Sequence, residues 1–266
     1  MQPGRHFTAL PSGVWALGIV SLLMDTSSEI VHGLLPVFLV TTLGATMTSV
    51  GLLEGFAEAA ALLLKVFSGP LSDWWGRRKP LLVLGYSMGA LSKPFFAVAQ
   101  TTSVVFAARV FDRMGKGIRG APRDALVADL APPELRGRAF GLRQSLDNVG
   151  AFAGPALAIA LMALTGNDTR KVFWLATIPG LLAVAVLCFG VREERRPETA
   201  VGRRIRWAEI ANFSQAFWFV VAAGAVFQLA RFSEAFLVLR TRDLGLAMGW
   251  IPLVLVVMNV VASLSA

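Results

Sequence analysis

Residues 69–79 read Gly-Pro-Leu-Ser-Asp-Trp-Trp-Gly-Arg-Arg-Lys and separate two long apolar runs. Gly69 and Gly76 lack a Cβ and therefore favour a tight turn. Asp73 can accept hydrogen bonds from the free N–H groups of a helix end, where the helix dipole favours a negative charge. The three basic residues that close the stretch favour the anionic headgroups of a membrane surface. The stretch predicts a short loop that joins two membrane helices on the cytoplasmic side.

The composition of the whole chain supports a membrane environment. Of its 266 residues, 55% are hydrophobic and 16% are charged, whereas a soluble domain has about 25% charged residues. A lipid-facing surface explains this difference because acyl chains require no polar coat. The net charge is +8, but Lys and Arg lie in short segments between apolar runs. This distribution indicates membrane topology and not a nucleic-acid-binding face.

Eight apolar segments are long enough to cross about 30 Å of hydrocarbon as helices. They cover residues 14–41, 48–68, 80–99, 103–122, 139–165, 172–191, 213–239 and 249–266. The predicted fold class is therefore an all-α, polytopic membrane helical bundle. Lys and Arg are concentrated in alternate connecting segments, which the positive-inside rule places in the cytoplasm together with the N-terminus. We expect a multi-pass protein of the cell membrane.

The longest polar segment, residues 192–212, divides the chain into two unequal parts. We interpret residues 1–191 as an N-terminal bundle of six transmembrane helices. Residues 192–212 are predicted to be a basic cytoplasmic linker that lies on the membrane surface. Residues 213–266 would then be the first two helices of a C-terminal half.

A weak internal repeat supports this division. Ser28-Glu29 followed by Leu43-Gly44-x-x-Met47 resembles Ser233-Glu234 followed by Leu244-Gly245-x-x-Met248. Parallel repeats of this kind occur in transporters whose binding site lies between the two halves. Since the second half would then contain six helices, we expect the chain to be a fragment that lacks roughly four of them.

Charged residues occur at mid-membrane depth in several predicted helices. Asp25 and Glu29 lie four residues apart on one helix face, and Glu54 and Glu58 repeat this spacing on the second helix. A charge at the bilayer centre costs about 2.5 to 3.5 kcal/mol, so these side chains must face the interior, pair, or line water. The candidate residues for substrate binding and proton coupling are Asp25, Glu29, Glu58, Arg109, Asp112, Arg113, Asp147, Arg231 and Glu234.

The buried charges allow a structural and a functional interpretation. Asp112 and Lys116 have the spacing of an ion pair within one helix, which would be purely structural. Asp25 and Glu29 opposite Arg109 would give a cavity two opposed charges, as coupling of a proton to a charged solute requires. His32 lies one turn beyond Glu29 and could titrate near neutral pH. A packing role explains this histidine at least as well as a titrating role. Neither metal-ligand spacing nor a nucleophile motif occurs in the sequence, so we expect no enzyme, cofactor or metal.

The stretch 69–79 resembles the G-x-L-a-D-r-x-G-r-[KR] signature of the major facilitator superfamily in spacing, charge order and position. The resemblance implies that a conformational latch on the cytoplasmic side joins the two halves. Its residues would be Gly69, Asp73, Gly76, Arg77 and Arg78. A topology anchor alone is the alternative.

Gly150, Gly154 and Pro155 in the fifth predicted helix are similar to the g-x-x-x-G-P-x-x-G-G signature of antiporters in that superfamily. Ala158 and Ile159 replace its final glycine pair. Small residues four apart also permit ordinary close helix packing, and a proline frees a backbone carbonyl. Arg109 matches the first position of the R-x-x-q-G pattern of proton antiporters, although Asp and Arg occupy its last two positions.

The resemblance implies a transporter that works by alternating access in a lipid bilayer. The leading hypothesis is export of a small molecule in exchange for protons, with the carboxylates of the first helix as the shared binding groups. A proton-coupled symporter for a nutrient or an anion is the alternative within transporters. A non-transporting membrane sensor or scaffold is the alternative of another class.

Overall fold

The computed structural model describes residues 9–193, 213–229 and 232–265 of the chain. These residues are arranged in helices, with no β-strand among them, which confirms the predicted all-α class. The α-helices are α1 (Ser12–His32), α2 (Leu35–Thr41), α3 (Met47–Trp75), α4 (Lys79–Val98), α5 (Thr102–Leu130), α6 (Arg136–Leu164), α7 (Thr169–Gly190), α8 (Gln215–Leu229), α9 (Glu234–Asp243) and α10 (Leu253–Ser265). The linker between residues 194 and 212 lies outside the described residues.

Four helical stretches have the length and hydropathy of a membrane span. They are Ser12–Thr41, Lys79–Val98, Pro133–Leu164 and Thr169–Gly190. Helices α3 and α5 have 29 residues each and are also long enough, but they contain more charged residues. These two helices pack against each other, and α5 also packs against α4, so that many of the charges are enclosed between helices.

Two predicted spans are interrupted in the structure. The first span breaks at Gly33 and Leu34, because Pro36 has no N–H to continue the hydrogen bonds of α1 into α2. The seventh span, predicted as one helix over residues 213–239, is divided into α8 and α9. The Ser233 hydroxyl accepts a hydrogen bond from the Ala235 N–H at 3.3 Å, which caps the start of α9.

The loop between α3 and α4 is shorter than predicted. Helix α3 continues through Gly69 and Pro70 and ends at Trp75, so the expected turn at Gly69 is wrong. The turn at Gly76 is present, since this residue has φ +64° and ends the helix in the left-handed conformation. Helix α5 likewise continues through Pro122, where the sequence predicted its end.

The two copies of the internal repeat have matching backbone conformations. Gly44 has φ +67° and Gly245 has φ +87°, and each follows the end of a short helix. A new helical segment begins three residues later in both cases, at Met47 and at Met248. This agreement supports the repeat, while the complete two-half architecture stays a prediction.

The apolar core forms two clusters at opposite ends of the bundle. One contains Ile30, Phe38, Leu53, Phe96, Val105 and Phe173 among others. The other contains Val14, Leu17, Leu82, Tyr86, Leu126 and Leu187 among others. On α1, α4 and α5 the charged residues lie between the residues of these two clusters, so the polar groups occupy the middle of the bundle.

Candidate functional site

A buried ion pair joins α5 to α3. Arg109 donates from Nε to one carboxylate oxygen of Glu54 at 3.0 Å and from Nη2 to the other at 2.9 Å. Arg109 is only 2% exposed. The bidentate geometry satisfies both oxygens and fixes the relative orientation of the two side chains.

A second buried pair joins α4 to α5. The Lys93 ammonium lies 2.7 Å from Asp112 Oδ1 and also donates to the Ser28 hydroxyl of α1 at 3.2 Å. Asp112 Oδ2 lies 3.9 Å from Arg109, which links the two pairs into one cluster. The predicted pair between Asp112 and Lys116 is wrong, because the Asp112 side chain points toward α4 and Lys116 is exposed.

A polar cavity of about 230 Å³ lies between α1, α3, α5 and α6. Its charged lining consists of Asp25, Glu58, Lys65, Lys116, Arg119, Arg123 and Asp147. Arg109 is not part of this lining, so the cations that share the cavity with Asp25 are Lys65 of α3 and three other residues of α5. Asp25 is partly buried, and no ion pair or hydrogen bond joins its carboxylate to another described residue.

Asp147 on α6 is held at the wall of this cavity by two arginines. Its Oδ2 lies 2.6 Å from Arg143 Nη1 and 3.8 Å from Arg123 Nη1. Its Oδ1 is buried and has no hydrogen-bond partner among the described residues. A buried oxygen of this kind costs free energy, so it is a natural point for a proton or a donor group of a solute.

Three other described candidate residues, Glu29, Arg113 and Glu234, are not among the residues that line this cavity. Glu29 Oε2 is 3.5 Å from His32 Nδ1 within α1. Arg113 Nε is 3.9 Å from Glu58 Oε2, whose side chain is 54% exposed. Glu234 lies in the first turn of α9, and this helix packs against α2 and α10. Arg231 lies outside the described residues.

The cavity is lined by side chains of both charge signs. Lys65, Lys116, Arg119 and Arg123 are basic, whereas Asp25, Glu58 and Asp147 are acidic. The cavity can therefore bind a polar or charged solute and can also exchange protons. Arg119 is positioned by the Tyr86 ring, whose centroid lies 4.6 Å from the guanidinium carbon.

The loop after α3 is fixed by ion pairs within the N-terminal bundle. Arg78 lies 3.1 Å from Asp73 and 2.7 Å from Asp129 near the end of α5, and it is 6% exposed. Arg77 is exposed. The structure thus makes Arg78 the buried partner of Asp73, and a role of Asp73 and Arg77 in joining two halves stays a prediction.

Two helix ends near this loop cap each other. The Glu193 carboxylate accepts the N–H groups of Arg78 and Lys79 at 2.5 and 2.9 Å, at the start of α4. Lys79 Nζ in turn donates to the carbonyls of Cys188 and Val191 at 2.7 and 2.6 Å, at the end of α7. Glu193 thus accepts helix-terminal N–H groups at the start of α4, while the expectation that Asp73 does so stays a prediction.

The glycines of the α6 motif bring α6 directly against α1. A Cβ on Gly150 would lie 2.8 Å from the Leu22 carbonyl oxygen, and one on Gly154 would lie 2.9 Å from the Thr26 carbonyl oxygen. Both distances are too short for a side chain. The glycines therefore permit a backbone contact next to Asp25 and Glu29, which places α6 at the same cavity.

The backbone carbonyl that Pro155 leaves free has a hydrogen-bond donor that the sequence did not reveal. A proline at this position cannot donate to the carbonyl four residues earlier, which is that of Ala151. Asn259 of α10 donates to this carbonyl from Nδ2 at 2.9 Å. The motif on α6 therefore forms a polar contact with a helix of the predicted C-terminal half.

Several important charged residues were missing from the candidate set. Glu54 and Lys93 form the two buried pairs, and Arg123 and Arg143 position Asp147. The sequence already placed Glu54 and Lys93 in the middle of predicted helices. The identity of each partner was not visible, because it depends on how the helices pack.

Comparison with known proteins agrees with this architecture. The profile of the Major Facilitator Superfamily matches residues 17–266. The chain is 32% identical over 237 residues to an MFS-type transporter of Methanocaldococcus jannaschii, covering 88% of this chain and 58% of that protein. It is 28% identical over 166 residues to the quinolone resistance protein NorA of Staphylococcus aureus, covering 62% of this chain and 42% of that protein.

The fold is also similar to that of a solved transporter. The crystal structure of the peptide transporter POT in complex with alafosfalin superposes with a TM-score of 0.63 at 18% identity, over 92% of this chain and 51% of that one. The chain spans about half the length of the relatives that it matches. By the match of the family profile over residues 17–266, the chain belongs to the major facilitator superfamily.

Proposed function

We propose that the protein transports a small molecule across the cell membrane by alternating access and exchanges it for protons. Membership of the superfamily supports transport. The contact from Asn259 to the Ala151 carbonyl joins the six-helix bundle to a helix of the predicted C-terminal half, and alternating access would require these two parts to move relative to each other. The name of the relative NorA, a quinolone resistance protein, supports export as the direction.

The main support for proton exchange is the environment of the Asp25 carboxylate. This carboxylate lines the polar cavity and forms no ion pair with another described residue, whereas Glu54 and Asp112 are bound to basic side chains. A carboxylate in this state can bind either a proton or a donor group of a solute. Such competition is reciprocal. If the bound solute lowers the affinity of the carboxylate for a proton, then protonation lowers the affinity for the solute by the same factor.

The exchange can be tested in liposomes that contain the protein and a pH-sensitive dye in the lumen. The probe is the quinolone norfloxacin, added outside acid-loaded liposomes. Entry of the probe in exchange for protons raises the lumen pH above that of protein-free liposomes. We expect the variant Asp25→Asn, Glu29→Gln to lose this rise and the control Glu134→Gln, at an exposed acid, to retain it.

The result is decisive for the proposed coupling site. If the variant Asp25→Asn, Glu29→Gln still accumulates the probe against its gradient at the wild-type rate, these carboxylates are not the coupling groups.

Symport of an anion with protons is the second candidate. Four basic and three acidic side chains line the cavity, and this small excess of positive charge favours an anionic solute. The sign of the pH change separates the two, because an anion that enters together with protons lowers the lumen pH. Inorganic phosphate, added in place of norfloxacin, serves as the anionic probe.

A further inference from the structure

A groove of about 1060 Å³ lies on the outside of the bundle, where the start of α4 meets the end of α7. It is separate from the polar cavity and shares no residue with it. Its lining includes Arg77, Lys79, Val83, Cys188, Phe189 and Arg192. The groove therefore combines basic side chains with an apolar wall.

The basic side chains of the groove differ in their availability. Lys79 is bound to two carbonyl oxygens at the end of α7. The acid in the groove, Glu193, is bound to the N–H groups at the start of α4. Arg77 and Arg192 are exposed, and neither forms an ion pair with another described residue. The groove thus presents two guanidinium groups to a ligand.

The apolar wall extends from this basic level along two helices that are long and apolar enough to cross a membrane. Val83 lies in the second turn of α4. Phe189 lies in the last turn of α7 and is 87% exposed. A free anion would contact only the basic end, whereas a phospholipid would use both the basic end and the apolar wall.

We propose that this groove binds a phospholipid with an anionic headgroup. Guanidinium groups donate pairs of hydrogen bonds to phosphate oxygens, so Arg77 and Arg192 bind the headgroup. The upper part of an acyl chain lies along Val83 and Phe189. The mutual capping of Lys79 and Glu193 keeps the ends of α4 and α7 together and so preserves the groove.

Cys188 provides a native reporter, because it lines the groove and is the only cysteine of the chain. The purified 266-residue chain is placed in vesicles of phosphatidylcholine with or without phosphatidylglycerol, and the rate of Cys188 labelling by a neutral maleimide is measured. We expect phosphatidylglycerol to slow labelling severalfold. The variant Arg77→Gln, Arg192→Gln should remove this difference.

Two controls make the labelling specific. Arg136→Gln, Arg138→Gln removes the same charge from exposed residues outside the groove and should leave the protection intact. Glycerol phosphate added to phosphatidylcholine vesicles should give no protection. Equal slowing in the groove variant, or protection by glycerol phosphate alone, would overturn the lipid site.

Native mass spectrometry supplies a second readout that does not depend on thiol reactivity. The chain is exposed to a mixture of both lipids, and the retained phosphatidylglycerol is compared with phosphatidylcholine. Loss of two basic side chains should lower this preference by about thirtyfold in the groove variant. An unchanged preference in that variant would also overturn the proposal.

Discussion

The buried cluster around Arg109 and the polar cavity around Asp25 are neighbouring regions of the same bundle. They differ in how completely their acidic side chains are paired with basic ones. In the cluster, Arg109 binds Glu54 in bidentate fashion and Lys93 binds Asp112. In the cavity, Asp25 forms no ion pair and one oxygen of Asp147 accepts no hydrogen bond within the part of the chain that the structure describes. The comparison suggests that the cluster holds α3, α4 and α5 together, whereas the cavity keeps charges available for a solute and protons.

The largest effect is expected from breaking the cluster. Glu54→Gln leaves the charge of Arg109 buried without its partner, so the free energy of unfolding in detergent should fall by about 3 to 5 kcal/mol. Glu58→Gln is the matched control, one turn along α3. Its side chain is 54% exposed and lies 3.9 Å from Arg113, so we expect a loss of about 0.5 kcal/mol or less.

Removal of both partners tests the same interpretation from the other side. The variant Glu54→Leu, Arg109→Met leaves no unpaired buried charge and should be more stable than Glu54→Gln. Equal losses for Glu54→Gln and Glu58→Gln would show that the two regions do not differ.

A smaller effect is expected where α6 meets α1 at the cavity wall. Gly154→Ala places a Cβ too close to α1, which should cost about 1 to 3 kcal/mol of stability and move α6 relative to Asp25. Gly141→Ala, on the same helix, introduces a Cβ with no atom within 4 Å and should not be destabilising. Thermal unfolding of both variants measures the difference, and equal destabilisation would rule out the proposed close contact.

Asn259 should have an effect that depends on Pro155. Asn259→Leu removes the donor to the Ala151 carbonyl and should cost about 1 kcal/mol. In a Pro155→Ala background, residue 155 can supply an N–H to this carbonyl, so the same substitution should cost less. A double-mutant cycle measures this coupling. Additive losses would mean that Asn259 does not replace the missing hydrogen bond.

The smallest effect is expected at Asp168, a half-buried charge outside both regions. The N–H groups of Lys171 and Arg170 donate to its carboxylate and hold the pKa of this carboxyl below its usual value. Its contribution to stability is therefore present near neutral pH and decreases from about pH 5 downwards. The difference in melting temperature between wild type and Asp168→Asn should shrink on acidification, and a growing difference would contradict the assignment.

The sequence predicted features that depend on local pattern. The all-α class follows from the length of the apolar segments, the turn at Gly76 follows from the need for positive φ, and the common face of Asp25 and Glu29 follows from helical periodicity. The family followed from the 69–79 stretch, in which spacing and charge order are local properties as well.

Features that depend on long-range packing were not predictable in this way. The spacing of Asp112 and Lys116 suggested a pair within α5, but Lys93 of α4 lies closer. Arg109 was assigned to the same site as Asp25, but Glu54 of α3 binds it. Pro122 was expected to end a helix, whereas α5 continues to Leu130. In each case the outcome is determined by a neighbouring helix or by the tertiary context.

Accessibility of individual carboxyl groups tests the central comparison most directly. The protein in lipid vesicles is treated with a water-soluble carbodiimide and an amine, and the modified residues are identified by peptide mass spectrometry. We expect modification of Asp25, which lines the cavity and has no ion pair with the other described residues, and protection of Glu54 and Asp112 in the cluster. Modification of Glu54 or Asp112 as fast as Asp25 would contradict it.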